Sequence, residues 1–297
     1  MQQDDLELLC HAPRHFGVQP RRFGCAGHAP QCGVHRHRVE AAGIVGIGRR
    51  HRGGQYIEPM LFTRLLDTVA STPSQCAVCH DWGRQRVCAL CVARFAPALP
   101  RCRRCAIEVP AAAALCGACL TDPPPFERTL AAVDYAHPWD GLITQFKFHS
   151  ALDLAPALTQ RLLDTFEHAN EPAPTLLLPI PLSAERLRER GYNQAWELAR
   201  RIARTLNCRA DAKLLLRVKD TPHQLALAPD KRAGNVRAAF AVEPRRRGEL
   251  AGTTVTLVDD VMTTGATVAE AARALLQAGV ARVQVWVVAR TPLADEA

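Results

Sequence analysis

The chain has 297 residues, with 37 Lys+Arg against 29 Asp+Glu, twelve cysteines and a formal charge of +8. This length admits one large domain or two smaller ones with a real core, and 48% hydrophobic with 22% charged residues excludes a mainly disordered or fibrous chain. No apolar run reaches the length of a membrane span and no basic n-region opens the N-terminus, so the expected compartment is the cytoplasm, where cysteines suggest metal ligands before disulfides.

Residues 1–59 hold nine of the 18 Gly and six of the 11 His, and no helical or strand period can be counted there. They are expected to be a disordered leader, or sequence upstream of the true start, with Met60 opening the first amphipathic stretch. Cys25, His28, Cys32 and His35 have a chelating spacing, but their flanks offer no secondary structure to hold a metal.

Residues 60–122 read as that lead-in followed by a cysteine-rich unit. Four identical C-x2-C pairs follow one another: Cys76 and Cys79, Cys88 and Cys91, Cys102 and Cys105, Cys116 and Cys119. Each pair sets two thiolates on one side of a tight turn, and two pairs complete a tetrahedral site, so eight thiolates predict two structural Zn²⁺. Buried free thiols would not repeat one spacing four times. An iron–sulfur cluster is the poorer fit to doubled knuckles, and a redox dithiol is normally a single motif. Joining first with second and third with fourth is the simplest pairing; an interleaved cross-brace is the other arrangement the spacing allows. The segment has few large apolar residues, so metal would supply folding energy that its core lacks.

Pro123–Pro125 closes that unit, and residues 126–292 read as an α/β domain. Strands are expected at Thr129–Tyr135, Thr175–Ile180, Val255–Val258 and Arg282–Val288, with helices at Gly141–Phe148, Ala151–His168, Asn193–Leu206 and Thr267–Ala278. Alternating strands and helices imply a parallel sheet covered on both faces. Ser183–Arg190 can form a further helix whose arginines lie on several faces. Arg190, beside Gly191, is the best candidate for an anion contact, then Arg186; Arg188 reads as solvated, and Lys147 is a modest candidate. Arg245–Arg247 reads as a basic surface loop.

The most informative stretch runs from Val255 to Val268. A buried strand ends in Asp259 and Asp260, and a Thr/Gly loop then opens a helix. Ligands bind at the carboxyl edge of parallel strands, and helix N-terminal amides suit phosphate. Acidic side chains beside a phosphate loop make sense when the ligand also carries sugar hydroxyls and Mg²⁺. A ribose phosphate with a magnesium-bound pyrophosphate satisfies every group.

This element resembles the phosphoribosyl pyrophosphate (PRPP) signature of type I phosphoribosyltransferases. The resemblance implies that Asp259 and Asp260 hold the ribose hydroxyls, while Thr263, Thr264, Gly265, Ala266 and Thr267 cradle the 5′-phosphate. Leu178-Pro179-Ile180-Pro181-Leu182, the segment from Arg186 to Ala195, Gln145-Phe146-Lys147-Phe148 and the eight cysteines together look like the ComF family. That resemblance spans roughly Met60 to Pro292. It implies a type I phosphoribosyltransferase fold behind a double zinc ribbon, Mg²⁺-dependent PRPP binding and pentosyl transfer to an acceptor; the residues themselves, apart from the resemblance, make Arg190, then Arg186, and more modestly Lys147 the expected pyrophosphate contacts. It also implies a role in DNA uptake and natural transformation, with single-stranded DNA and other competence proteins as partners. The stretch Arg217–Phe240 looks like that family's flexible region, with His223 and Asp230-Lys231 departing from its usual residues. The alternative is a non-catalytic, PRPP-regulated module that binds single-stranded DNA through Arg101, Arg103 and Arg104, although 5% aromatics is thin for base stacking.

Overall fold

The computed structural model describes residues 73–218 and 239–293. The expected leader, the lead-in from Met60, and the segment Thr221–Asn235 lie outside the described residues. Among the described residues, no helix is long and apolar enough to cross a membrane.

The cysteine-rich segment contributes a short hairpin, β1 (Ser74–Gln75) with β2 (Trp82–Gly83), and two short helices, α1 (Ala89–Phe95) and α2 (Gly117–Thr121). The elements that follow are β3 (Arg128–Asp134), α3 (Trp139–Phe148), α4 (Ala155–Ala169), β4 (Leu176–Pro179), α5 (Ala184–Arg190), α6 (Gln194–Leu206), β5 (Arg209–Ala210), β6 (Leu215–Arg217), β7 (Phe240–Val242), β8 (Thr254–Met262), α7 (Ala266–Gln277) and β9 (Arg282–Arg290). Five strands form one wholly parallel sheet in the order β3-β9-β8-β4-β5. β6 and β7 pair as a separate antiparallel hairpin that the sequence pattern had not indicated.

Periodicity explains which faces are buried. In α6, Ala195, Leu198, Ala199 and Ile202 are fully buried at helical spacing, and Asn193 caps the start by accepting from the Ala195 and Trp196 amides at 2.9 and 3.3 Å. In α7, Val268, Ala271, Ala272 and Leu275 form the same kind of stripe. Gly279, at φ +98, turns the chain out of that helix into β9. β4 is buried at all four positions, as a central parallel strand should be. One sheet face packs against α3, α4 and α6 around Trp139, Ile143, Phe146, Leu158 and Trp286; the other packs against α7 and the β6–β7 hairpin.

The cysteine unit is built onto this sheet. Cys76, Val87 and Cys91 join the core that contains Trp139, whose indole N–H donates to the Phe95 carbonyl at 2.6 Å. The second knuckle pair covers the outer edge of β3. There the Thr129 amide donates to the Arg103 carbonyl at 3.0 Å, and its hydroxyl donates to the Arg104 carbonyl at 2.5 Å. An edge strand that would otherwise offer free backbone groups is thereby paired.

Strand β8 runs four residues beyond the expected Val258. It continues through both aspartates to Met262, in register with β9 from Thr254↔Arg282 to Met262↔Arg290. The acidic pair therefore sits on a strand paired with β9, just beyond the end of its pairing with β4, rather than on a loop.

Candidate active site

Asp259 and Asp260 lie at the carboxyl end of β8, next to the exit of β4. The two residues are adjacent on the strand, and their side chains interact with one another. Asp260 is 2% exposed, and its Oδ1 meets the Lys147 ammonium at 3.0 Å, whereas Oδ2 is buried without a partner. Asp259 Oδ1 accepts from the Asp260 amide at 2.9 Å. Burial, then the neighbouring Asp260 charge, push the Asp259 carboxyl up to about 8 against the opposing pull of Lys147.

The loop that follows exposes Thr263 and Thr264, and Gly265 takes φ +80 to begin α7. That left-handed conformation favours glycine and aims the first-turn amides of α7 into the loop. No side chain of the capping residue closes this helix start; the Thr264 hydroxyl accepts weakly from the Ala266 amide at 3.4 Å. A helix N-terminus with unpaired amides and flanking hydroxyls suits a phosphate.

The exit of β4 supplies the cations. Ser183 caps α5, accepting from the Arg186 amide at 3.3 Å, and Gly191 ends that helix at φ +75. Arg186 and Arg190 are half-buried and line a pocket of about 140 Å³ together with Lys147, Phe148, Ser150 and Glu189. Arg190 lies 4.6 Å from the Phe148 ring centroid and donates to the Gln194 side chain at 3.0 Å. Burial draws its guanidinium below the ordinary value, and Asp260 works in the other direction. Arg188 is exposed and bonds back to its own helix at the Ala184 carbonyl, 3.2 Å away. Two residues absent from the sequence-level candidates fix this geometry. The Tyr192 hydroxyl donates to the Phe146 carbonyl, tying α3 to the turn after Arg190, and the Asn193 side-chain Nδ2 donates to the Ile180 carbonyl at 3.0 Å. Lys147 thus belongs both to the arginine pocket and to the Asp260 pair, making one continuous site.

The cysteines gather as two tetrads, Cys76/Cys79/Cys88/Cys91 and Cys102/Cys105/Cys116/Cys119, with ligand atoms within 4.8 Å of one another. This is the first-with-second, third-with-fourth arrangement. Sγ–Sγ separations of 3.9 Å for Cys76–Cys91 and 3.6 Å for Cys79–Cys88 and Cys105–Cys116 fit a tetrahedron with metal–sulfur bonds of about 2.3 Å. The tetrads also repeat electrostatically. Burial works against thiolate formation at Cys76 and Cys102, but converging backbone amides outweigh it and bring them down to about 6 and about 7. Burial pushes Cys91 up to about 12, and raises Cys119 as well.

Of the ribbon arginines, Arg101 is taken up by Asp134 at 2.8 Å and by the Ala106 carbonyl at 3.1 Å, while Arg104 donates to the Pro124 carbonyl at 3.4 Å. Arg103 is exposed. Arg103 and Arg104 line a groove of about 640 Å³ with Arg128 and Arg282 near the amino ends of the strands. The expected basic loop at Arg245–Arg247 is partly neutralised, because Arg246 pairs with Asp211 and Glu249 at 2.6 and 2.7 Å.

The family model described as phosphoribosyl transferase domain matches residues 193–295. The protein named DNA utilization protein YhgH of Escherichia coli is 34% identical over 231 residues, covering 74% of this chain and 99% of that protein. Competence protein F of Haemophilus influenzae is 33% identical over 195 residues, 64% of this chain and 85% of that protein. Competence protein ComFC of Bacillus subtilis is 30% identical over 137 residues, 46% of this chain and 53% of that protein.

Proposed function

The chain belongs to the ComF family of phosphoribosyltransferase-like proteins, and from that premise we propose that it binds Mg²⁺-PRPP at the carboxyl edge of β4 and β8 and transfers the phosphoribosyl group. The observation that carries this reading is the meeting of three unlike devices in one place. These are an acidic pair on a strand, a hydroxyl-lined helix start, and a pocket of one lysine and two arginines joined to the acids through Lys147.

In this reading Asp259 and Asp260 accept from the ribose 2- and 3-hydroxyls, and the amides and hydroxyls of Thr263–Thr267 take the 5′-phosphate. Lys147, Arg186 and Arg190 receive the pyrophosphate, and Lys147 exchanges its contact with Asp260 for one with the ligand. Mg²⁺ neutralises charge on the pyrophosphate and travels with it, since this cation prefers phosphate and water oxygens to an all-protein cage. As pyrophosphate leaves C1 and the acceptor attacks, the three cations stabilise the departing charge, and the acidic pair keeps the sugar aligned. The two cysteine tetrads hold structural zinc, the relatives named for DNA utilization and competence support a role in DNA uptake, and the protein works in the cytoplasm.

Calorimetric titration with PRPP and with ribose 5-phosphate tests this. PRPP binds at least about ten-fold more tightly than ribose 5-phosphate, and only with Mg²⁺ present, if charge-assisted pyrophosphate contacts contribute as they do elsewhere. Equal affinity for the two ligands would remove the pyrophosphate pocket from the reading.

A second reading is favoured by the groove holding Arg103, Arg104 and Arg282, where Arg128 is paired with Glu171 and Glu127 also lines the wall: single-stranded DNA binds there, with or without pentosyl transfer. Binding of a labelled oligonucleotide should weaken with rising salt and be lost on Arg103→Glu with Arg104→Glu. No binding at low salt dismisses this reading and leaves the PRPP site untouched.

A further inference from the structure

Arg290 ends β9 and is 7% exposed. A guanidinium at that depth normally has a carboxylate beside it. Here its donors meet carbonyl oxygens: Nε donates to Cys105 at 2.8 Å, and Nη1 donates to Met262 at 3.1 Å, to Thr291 at 2.8 Å and to Thr263. Among the described residues, no acidic side chain forms an ion pair with it. The acceptors come from separate parts of the chain: a knuckle of the second cysteine tetrad, the two residues that lead into the Thr/Gly loop, and Arg290's own strand exit.

Neighbouring contacts stiffen the same junction. Ala106 is fully buried in the core cluster that contains Met262. Arg101 holds the Ala106 carbonyl and Asp134, and Asp134 is the register partner of Arg290 across β3 and β9. The Thr291 amide donates to the Met262 carbonyl at 3.0 Å. The first tetrad takes no part in this, since Cys76 and Cys91 lie in the other cluster, with Trp139 and Ile143.

We propose that Arg290 is a positioning residue that couples the second cysteine tetrad to the phosphate loop. Metal at Cys102, Cys105, Cys116 and Cys119 fixes the Cys105 carbonyl. Arg290 passes that constraint to Met262 and Thr263, so the loop is held in its anion-binding form. Its hydrogen bonds to the Met262 and Thr263 carbonyls hold in shape the loop that receives the 5′-phosphate. This inference rests on the PRPP reading for its ligand. The mechanical link between tetrad and loop stands apart from that reading and can be measured without any ligand.

The test uses the zinc-loaded full chain. Amide hydrogen exchange over residues 263–268 is followed in ligand-free protein for wild type, Arg290→Met, Cys116→Ser, the double variant and Cys88→Ser. PRPP affinity is measured for wild type, Arg290→Met and Arg290→Lys. Arg290→Met and Cys116→Ser should each speed loop exchange at least about five-fold, the double variant no more than either alone, and Cys88→Ser should leave it near wild type. Arg290→Lys should recover part of the PRPP affinity lost in Arg290→Met, because it returns a hydrogen-bond donor. Wild-type exchange in Arg290→Met, or fully additive effects of Arg290→Met and Cys116→Ser, would overturn the coupling even if PRPP binds well. Should wild type fail to bind PRPP while the exchange pattern holds, the PRPP reading falls and the tetrad-to-loop link survives.

Discussion

Replacing Lys147 by methionine leaves a buried carboxylate without its cation. The Lys147 and Asp260 side chains are 18% and 3% exposed and meet at 3.0 Å. At that separation and an effective dielectric of about 20, their gross attraction is about 5–6 kcal/mol. Much of this is offset by the water both ions have given up, and truncating one partner of such a pair typically costs about 3–5 kcal/mol. Lys147 borders an open pocket and Asp260 Oδ2 lacks a partner, while Arg190 remains as a nearby cation that offsets part of the loss. With solvent screening on the lysine side, the expected loss for Lys147→Met is about 2–3 kcal/mol near pH 7. Asp260→Asn should cost about 1 kcal/mol, because a lysine can turn its ammonium to water whereas a buried carboxylate cannot. The double variant should lose less than the sum of the two, with a coupling of at least about 1 kcal/mol. Guanidinium unfolding of the zinc-loaded protein gives all three values. A Lys147→Met variant within about 0.5 kcal/mol of wild type would refute the claim that this pair is effectively buried.

Three further outcomes follow from the same geometry. Asp259 is raised from 3.8 to about 8, so between those values the folded chain holds a proton that the unfolded chain has released; its contribution to stability therefore declines as pH rises from about 4 to about 8. Asp259→Asn lacks that decline, so its melting temperature minus that of wild type should increase between pH 5.5 and pH 8; a difference that stays constant or decreases counts against the burial of this carboxyl. Elemental analysis should find two zinc ions per chain, falling to one in Cys88→Ser and to one in Cys116→Ser; two ions retained in either variant would contradict four-thiolate sites. Arg190→Gln should weaken PRPP by about ten-fold or more and leave ribose 5-phosphate within about two-fold, a split that calorimetry resolves.

Local chemistry determined how much could be read from the residues. The knuckles and the Asp-Asp-to-Thr/Gly string were legible because each function is written in a short contiguous segment. The central helices were legible because their apolar period is unbroken, as in Leu158 to Leu162 or Leu198 to Ile202. The short pairs β5 and β6–β7 were not, since a two- or three-residue strand has no period to count. Long-range contacts were equally silent. Nothing near Lys147 in sequence indicates Asp260, and Tyr192 reaches the Phe146 carbonyl across 46 positions. Arg101 looked like a free surface charge and is instead held by Asp134. For Arg290 one signal was available: an arginine closing an otherwise apolar strand, Val285-Trp286-Val287-Val288-Ala289, implies a buried partner set.

In the proposed function the acidic pair on β8 holds the ribose of PRPP. Calorimetric titration of the Asp259→Asn, Asp260→Asn double variant with PRPP and Mg²⁺ tests it most directly, with a denaturation curve run in parallel. No measurable PRPP binding is expected in a variant that unfolds cooperatively and remains folded under the titration conditions. Wild-type PRPP affinity in that folded variant would contradict it.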